Sequence, residues 1–242
     1  MIRDRVGPAL VVEAVIFDFD GLLMDTETTL LHSWQYEWQQ WGLQLDPSTF
    51  FAEHGGDVNA ERTALLAAAV GASYDHELSR RRRVRHRAEL HDVLDLNDGI
   101  RAWIEEASDL GLRLAVASSS PVDWLKKNLD RVDATESFEV FAGGDEVARH
   151  KPSPDVYNLA LRRLALAGER AVAVEDTAHG VDAAHAAGLR CVGIPNPFVS
   201  ADRVRHADLV LDAATDLALL EVVDRLAERP GNNDVGGAPD AR

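Results

Sequence analysis

A series of short, almost entirely apolar runs, separated by longer segments with helical periodicity, constrains the fold most. The apolar runs predict β-strands at 14–18, 112–118, 138–143, 171–176, 190–195 and 208–212. Because these runs are continuous rather than alternating, we expect strands that are covered on both faces. Between them lie helical patterns at 99–110, 121–132, 153–167, 178–187 and 215–227. This alternation predicts an α/β fold with a doubly wound parallel sheet.

Residues 27–97 interrupt the alternation directly after the first strand, because they contain helical patterns and no convincing strand. Tryptophans recur at helical spacing in this segment and predict a buried stripe formed by Trp34, Trp38 and Trp41. The arginine-rich run 80–87 is interpreted as a solvated helix face. We therefore expect a core made of 1–26 and 98–228, a helical insertion at 27–97, and a disordered tail at 229–242.

Composition and charge narrow the possible partners. The net charge of −16 disfavours nucleic acids and anionic membranes as partners. The chain contains no run of eighteen apolar residues, so a membrane span is not expected. Its single cysteine, Cys191, excludes an internal disulfide and lies in an apolar stretch that favours core packing. We expect a cytoplasmic monomer that acts on a small molecule.

Polar residues stand at or just after the predicted strand ends, where the carboxyl ends of parallel strands meet at one edge of a sheet. These residues are Asp18, Asp20, Ser118, Lys151, Glu175 and Asp176. Carboxylates that converge without a cation cost several kcal/mol of repulsion and desolvation. A Mg²⁺ ion would remove that cost, since it prefers oxygen ligands and often shares them with a phosphate.

A phosphate would find further partners at the same edge. Lys151 and the Ser118 hydroxyl can bind phosphate oxygens, and the helices predicted to follow them offer backbone N–H donors. The acids, the lysine and the hydroxyl together indicate a site for phosphate and Mg²⁺. The alternative for each residue taken singly is a role in a turn or a helix cap.

The order of the motifs resembles that of the haloacid dehalogenase superfamily of aspartyl phosphohydrolases. The resemblance rests on the segments "DFDGLLMDTE", "ASSSP", "KPSPDVY" and "VEDTAHGVDAAHAAGL", and it covers roughly residues 12–226. It is closest to the branch with a helical cap after the first motif. That branch includes β-phosphoglucomutase, pseudouridine-5′-phosphatase and sugar phosphatases. The resemblance implies a Rossmann-like α/β core whose cap is the insertion at 27–97.

The resemblance also implies a role for each matching residue. Asp18 would attack phosphorus and form an aspartyl-phosphate, and Asp20 would act as the general acid and base. The implied Mg²⁺ ligands are Asp18, Asp20 through its backbone carbonyl, Glu175 and Asp176. Phosphate binding would fall to Gly21, Ser118, Ser119 and Lys151, with Gly21 allowing a close approach of the backbone.

Residue types favour a Mg²⁺-dependent phosphatase over a phosphomutase of the β-phosphoglucomutase type. The family mutase binds a second phosphate with a Lys-Gly pair and an arginine in the cap, whereas the comparable loop here, 51–62, has no lysine. The alternative for the arginine-rich run 80–87 is that one of its arginines reaches such a distal phosphate. Candidate specificity residues are Glu27, His54 and Arg62. For Asp25 and Glu27 a structural role is favoured over a contact with the substrate, with Asp25 or Thr26 capping the first helix. A non-catalytic binding or regulatory protein on the same fold is the alternative from another class.

Overall fold

Six strands form one parallel sheet in the computed structural model, which describes residues 12–50 and 59–228. The strands are β1 (Ala14–Phe17), β2 (Arg113–Ala117), β3 (Val140–Ala142), β4 (Ala171–Glu175), β5 (Arg190–Gly193) and β6 (Leu209–Val210). Their spatial order is β3-β2-β1-β4-β5-β6, and all neighbouring pairs are parallel. The chain winds outward from β1 in both directions, so the predicted doubly wound parallel sheet is confirmed.

Helices occupy the connections between the strands, and one further helix follows β6. They are α1 (Thr26–Gln40), α2 (Pro47–Phe50), α3 (Asn59–Val70), α4 (His76–His91), α5 (Ile100–Asp109), α6 (Val122–Asp130), α7 (Asp155–Leu164), α8 (Ala178–Ala186), α9 (Ala201–Val204) and α10 (Leu219–Glu228). The five helices predicted between the strands correspond to α5, α6, α7, α8 and α10. The one-turn helix α9 was not predicted. Among the described helices, none has the length and apolar character needed to cross a membrane.

The sheet is buried on both faces, which explains why its strands are continuously apolar. Val15 and Phe17 of β1 pack on one side with residues of α5, α6 and α10. Ala14 and Ile16 pack on the other side with residues of α7 and α8. Because successive side chains of a strand point to opposite faces, both sets must be apolar. Cys191 of β5 is buried in the second layer, as expected.

The segment between β1 and α5 contains α1 to α4, with no strand among its described residues. Helices α1 and α4 pack against each other. Trp34 is fully buried, while Trp38 and Trp41 are partly buried against the same cluster, so the tryptophan stripe is present with one fully buried member. The division into core, cap and tail stays a prediction, and the tail 229–242 lies outside the described residues.

The interpretation of the whole arginine run as a solvated face is wrong. Only Arg80, Arg81 and Arg85 are exposed, whereas the other arginines of α4 are half-buried. The guanidinium of Arg83 lies 3.8 Å from the centroid of the Trp34 ring, and that of Arg82 lies 5.6 Å from the Trp41 ring. Stacking on aromatic faces buries the stems and planes of these side chains, which periodicity alone does not reveal.

Candidate active site

The candidate site lies at the carboxyl ends of the three central strands. Asp18 directly follows β1, Ser118 directly follows β2, and Glu175 is the last residue of β4. Backbone hydrogen bonds fix the first two, since the Asp18 amide donates to the Val174 carbonyl (2.9 Å) and the Ser118 amide donates to the Ala142 carbonyl (3.1 Å). This is the edge beside the point where the strand order reverses, the usual ligand position in such sheets.

Three buried carboxylates meet at this edge. Oxygen atoms of Asp18, Glu175 and Asp176 all lie within 4.8 Å of one another. Within the described part of the chain, Glu175 Oε2 is buried and has no hydrogen-bond partner, while Asp176 Oδ2 accepts a bond from Asn196 (2.7 Å). An all-oxygen donor set with an unpartnered anionic atom fits a hard divalent cation. The buried acidic cluster can therefore hold a metal ion.

Lys151 is the cation that the chain itself supplies. Its Nζ donates to Asp18 Oδ1, to Glu175 Oε1 (2.5 Å) and to the Ala117 carbonyl (2.9 Å). Burial would lower the pKa of this ammonium, but the carboxylates of Asp18 and Glu175 outweigh it and raise the pKa. Lys151 therefore stays charged and partly neutralises the cluster.

Asp18 and Asp176 nonetheless resist ionisation without a further cation, because burial raises the pKa of both. Burial raises the pKa of Asp18 to about 8, with Lys151 opposing the shift and Glu175 adding to it. Burial also raises the pKa of Asp176 well above its ordinary value, and the charges of Asp18 and Glu175 contribute. A positive ion among these groups would favour their charged forms.

Asp20 lies beside the cluster, held by side chains from the neighbouring loop and helices. Ser120 Oγ donates to Asp20 Oδ2 (2.6 Å), and Thr26 Oγ1 donates to Oδ1 (2.8 Å). Trp124 Nε1 also points to Oδ1, at 3.4 Å. The sequence pattern does not mark Ser120 or Trp124 as site residues, and it predicts Thr26 only as a possible helix cap.

Two glycines leave room for the carboxylates. At Gly21, φ is +86° and an added Cβ would lie 2.3 Å from Asp176 Oδ2, so a side chain at this position would collide with the acidic cluster. At Gly180, an added Cβ would lie 1.8 Å from Glu175 Oε2. Gly180 was not predicted as a site residue, because a glycine inside α8 carries no signal of what packs on it.

The remaining phosphate-binding candidates lie on the loop after β2. Ser118 is buried, and its Oγ accepts a hydrogen bond from the Ser120 amide (3.0 Å). Ser119 is exposed on the same loop. A further buried group, Tyr157 of α7, donates its hydroxyl to Glu175 Oε1 (2.5 Å) and was predicted only as part of a helix. That Ser118 and Ser119 bind a phosphate stays a prediction.

The candidate specificity residues Glu27, Arg62 and His54 differ in what the structure shows of their surroundings. Glu27 is half-buried, and burial, followed by the charge of Asp20, raises its pKa. Arg62 stacks 3.9 Å from the Phe50 ring centroid and donates to the Phe50 carbonyl (3.1 Å). His54 lies outside the described residues. Of the two candidate caps for α1, the structure selects Asp25, whose carboxylate accepts from the Thr28 amide (2.9 Å).

The fold and this site define the class: a doubly wound α/β protein with a buried acidic cluster and a buried lysine at the switch point. The model of the family described as haloacid dehalogenase-like hydrolase matches residues 15–194. The chain belongs to the haloacid dehalogenase-like hydrolases. The family resemblance predicted from the ordered motifs is thereby confirmed.

Curated relatives and solved structures agree with this assignment. The chain is 34% identical to Protein CbbY of Cereibacter sphaeroides over 228 residues, covering 89% of this chain and 98% of the relative. It is 30% identical to the Phosphorylated carbohydrates phosphatase of Thermotoga maritima, covering 74% and 82%. The crystal structure of CbbY from Rhodobacter sphaeroides in complex with phosphate matches with a TM-score of 0.70 and 32% identity, covering 88% and 100%. The prediction of a phosphoric monoester hydrolase of this family is confirmed by such relatives.

Proposed function

We propose that this protein is a Mg²⁺-dependent phosphatase that hydrolyses a small phosphomonoester through an aspartyl-phosphate intermediate. The observation that carries the proposal is the position of Asp18. It lies at the end of β1 within a buried acidic cluster, and Lys151 bridges it to Glu175. A relative named for phosphorylated carbohydrates supports a sugar phosphate or a similar metabolite as the substrate. We also expect a cytoplasmic monomer.

Asp18 is proposed as the nucleophile. A carboxylate oxygen of Asp18 attacks phosphorus, the bond from phosphorus to the leaving oxygen breaks, and an aspartyl-phosphate forms. Asp20 gives its proton to the leaving oxygen, so that the alcohol departs neutral. Asp20 then takes a proton from the water that attacks the intermediate, which releases inorganic phosphate and restores the Asp18 carboxylate. The bonds from Ser120 and Thr26 hold Asp20 beside Asp18 for both transfers.

The remaining site residues bind the phosphate and the metal. Asp18, Glu175, Asp176 and the backbone carbonyl of Asp20 would hold Mg²⁺. The ion, when bound, offsets the repulsion between an anionic nucleophile and an anionic phosphate. Lys151 and Ser118 offer donors to the phosphate oxygens, with Ser119 and the backbone at Gly21 as further candidates.

Phosphate release tests this proposal directly. The chain should release phosphate from small phosphomonoesters only when Mg²⁺ is present, and Asp18→Asn should abolish turnover. Asp123→Asn serves as the matched control, because Asp123 is exposed at the start of α6. Activity that survives chelation, or an Asp18→Asn variant as active as Asp123→Asn, would refute the mechanism.

A phosphomutase is the second candidate, because it would use the same nucleophile. It would also need a site for a second phosphate. Half-buried arginines on α4 are the observation that favours it. Incubation with β-glucose 1-phosphate and a bisphosphate activator separates the two functions. The phosphatase releases free phosphate, whereas the mutase forms glucose 6-phosphate without it.

A further inference from the structure

The side chain of Asn196 joins two parts of the molecule with one hydrogen bond at each end of its amide group. Its Nδ2 donates to Asp176 Oδ2 (2.7 Å), and its Oδ1 accepts from the backbone N–H of Phe198 (2.9 Å). An ionised carboxylate can only accept and a backbone N–H can only donate, so the two partners fix the orientation of the amide. Only 7% of Asn196 is exposed, and water therefore competes little for the bond to Asp176.

The loop that carries Asn196 has a restricted backbone. It follows β5, and the amide of Ile194 donates to the carbonyl of Glu175 (2.7 Å), which anchors the start of the loop beside the acidic cluster. Pro195 and Pro197 stand on either side of Asn196, and each proline ring fixes its own φ. The loop therefore holds Asn196 in a defined position at the carboxyl end of the sheet.

Phe198 connects this loop to the helical segment 27–97. Its side chain packs against a cluster of buried apolar residues from that segment, which we call the insertion cluster. The buried members are Leu31, Trp34, Phe50 and Leu66. Among the described residues of this cluster, Phe198 is the one that comes from outside 27–97. Val199, the next residue, packs instead with residues of α7 and α8 on the sheet. The Phe198 side chain therefore contacts the helical segment, whereas its backbone N–H is bound to Asn196.

The bond from Asn196 bears on metal binding, because Asp176 belongs to the buried acidic cluster. A hydrogen bond to one oxygen of a ligating carboxylate fixes the plane of the group, and losing such a partner typically costs about tenfold to a hundredfold in metal affinity. The donor here is neutral. A further anion at this position would add to the repulsion among the buried carboxylates, whereas the amide of Asn196 orients Asp176 without adding charge.

We propose that Asn196 is a positioning residue for Asp176, and that Phe198 holds Asn196 in place from the insertion cluster. The proposal rests on the proposed function, because it concerns the affinity of the acidic cluster for Mg²⁺. It makes Mg²⁺ binding depend on how the helical segment 27–97 packs against the loop after β5. Since such coupling is reciprocal, bound Mg²⁺ and the packing of Phe198 stabilise each other.

Isothermal titration calorimetry with Mg²⁺ on the full chain, without substrate, tests the role of Asn196. Asn196→Leu keeps the branching of the side chain and removes both hydrogen bonds, so it should weaken Mg²⁺ binding roughly tenfold to a hundredfold. Asn196→Ser, whose hydroxyl is too short to span both partners, should lose affinity in the same direction if Asn196→Leu folds poorly. Asn158→Leu is the matched control and should retain the affinity, because Asn158 is a half-buried asparagine on α7.

Two outcomes of this titration would count against the proposal in different ways. Equal affinity for Mg²⁺ in the unmodified protein and in both Asn196 variants would overturn the proposal and leave the proposed function intact. An unmodified protein that does not bind Mg²⁺ would overturn the proposed metal dependence together with the role of Asn196.

The same titration tests Phe198. Phe198→Ala should weaken Mg²⁺ binding roughly fivefold or more, and Phe198→Leu should retain most of the affinity because it keeps an apolar contact. Val199→Ala is the matched control, since it shortens the neighbouring side chain outside the insertion cluster. The double variant Asn196→Leu with Phe198→Ala should bind Mg²⁺ as Asn196→Leu does, because the effect of Phe198 passes through Asn196. A Phe198→Ala variant with unchanged affinity, or losses that multiply in the double variant, would overturn the role of Phe198.

Discussion

Replacing Lys151 by Met tests how much the charge of this lysine stabilises the buried carboxylates at the centre of the site. Lys151 Nζ donates to Asp18, to Glu175 and to the Ala117 carbonyl, and 7% of its side chain is exposed. Methionine has a similar length and no charge. The substitution therefore removes a buried cation and leaves buried carboxylates without their partner.

The expected cost follows from the burial of both partners. Removing one member of a buried ion pair costs about 3–5 kcal/mol. That is a large share of a typical free energy of unfolding, about 5–15 kcal/mol. Lys127→Met is the matched control, because Lys127 is an exposed lysine on α6 and should change stability by less than about 0.5 kcal/mol.

The loss should depend on pH in a defined direction. The pKa of Asp18 is raised to about 8 in the folded protein from an ordinary value of 3.8, so ionising Asp18 lowers stability as pH rises between these values. Lys151 limits that loss, since its charge lowers the pKa of Asp18. Without Lys151 this loss of stability grows. The free energy of unfolding of Lys151→Met should therefore fall further below that of the unmodified protein at pH 8 than at pH 5; this difference is the deficit.

Urea unfolding of the metal-free proteins at pH 5 and pH 8 measures this deficit, with chelator present throughout. Two results would refute the reasoning. The first is a Lys151→Met variant as stable as Lys127→Met at pH 8. The second is a deficit that grows as the pH falls, which would show that the lysine does not stabilise the ionised carboxylates.

Three further predictions address single contacts. Gly180→Ala should destabilise by about 1–3 kcal/mol in urea unfolding, because the methyl group overlaps Glu175, and a gain from helix propensity would contradict this. Burial lowers the pKa of His91 to about 4, so the unmodified protein should lose stability between pH 6.5 and pH 4. In His91→Gln the free energy of unfolding should fall less steeply between these pH values, by up to about 1.4 kcal/mol per pH unit. The same slope against pH in both proteins would contradict this. Ser120→Ala removes the 2.6 Å bond to Asp20 and should lower kcat roughly tenfold with little change in KM, so an unchanged kcat would rule out its positioning role.

The sheet could be predicted from sequence because burial on both faces leaves a strong signal. The side chains that β1 presents to the two faces of the sheet are all apolar, and Asp18 directly follows the strand. In a parallel sheet, residues that follow different strands meet at one edge. The predicted convergence of Asp18, Ser118 and Glu175 needed only that rule and the strand positions.

The contacts within the site could not be predicted, because they depend on how loops and helices turn their side chains. In the run from Ser118 to Ser120, the third hydroxyl reaches Asp20 while Ser119 is exposed. Tyr157 has the periodicity of a buried helix residue, and nothing in the sequence marks its bond to Glu175. The arginines of α4 are a similar case, since only the packing of aromatic rings distinguishes the stacked ones from the solvated ones.

Trapping the phosphorylated enzyme tests the central claim most directly. Asp20→Asn should slow hydrolysis of the aspartyl-phosphate, while p-nitrophenyl phosphate, whose leaving group needs no protonation, should still phosphorylate the enzyme. Acid quench followed by peptide mass spectrometry should then find one phosphoryl group on Asp18, dependent on Mg²⁺. Steady release of phosphate with no phosphoryl group on Asp18, or a phosphoryl group on another residue, would contradict the account.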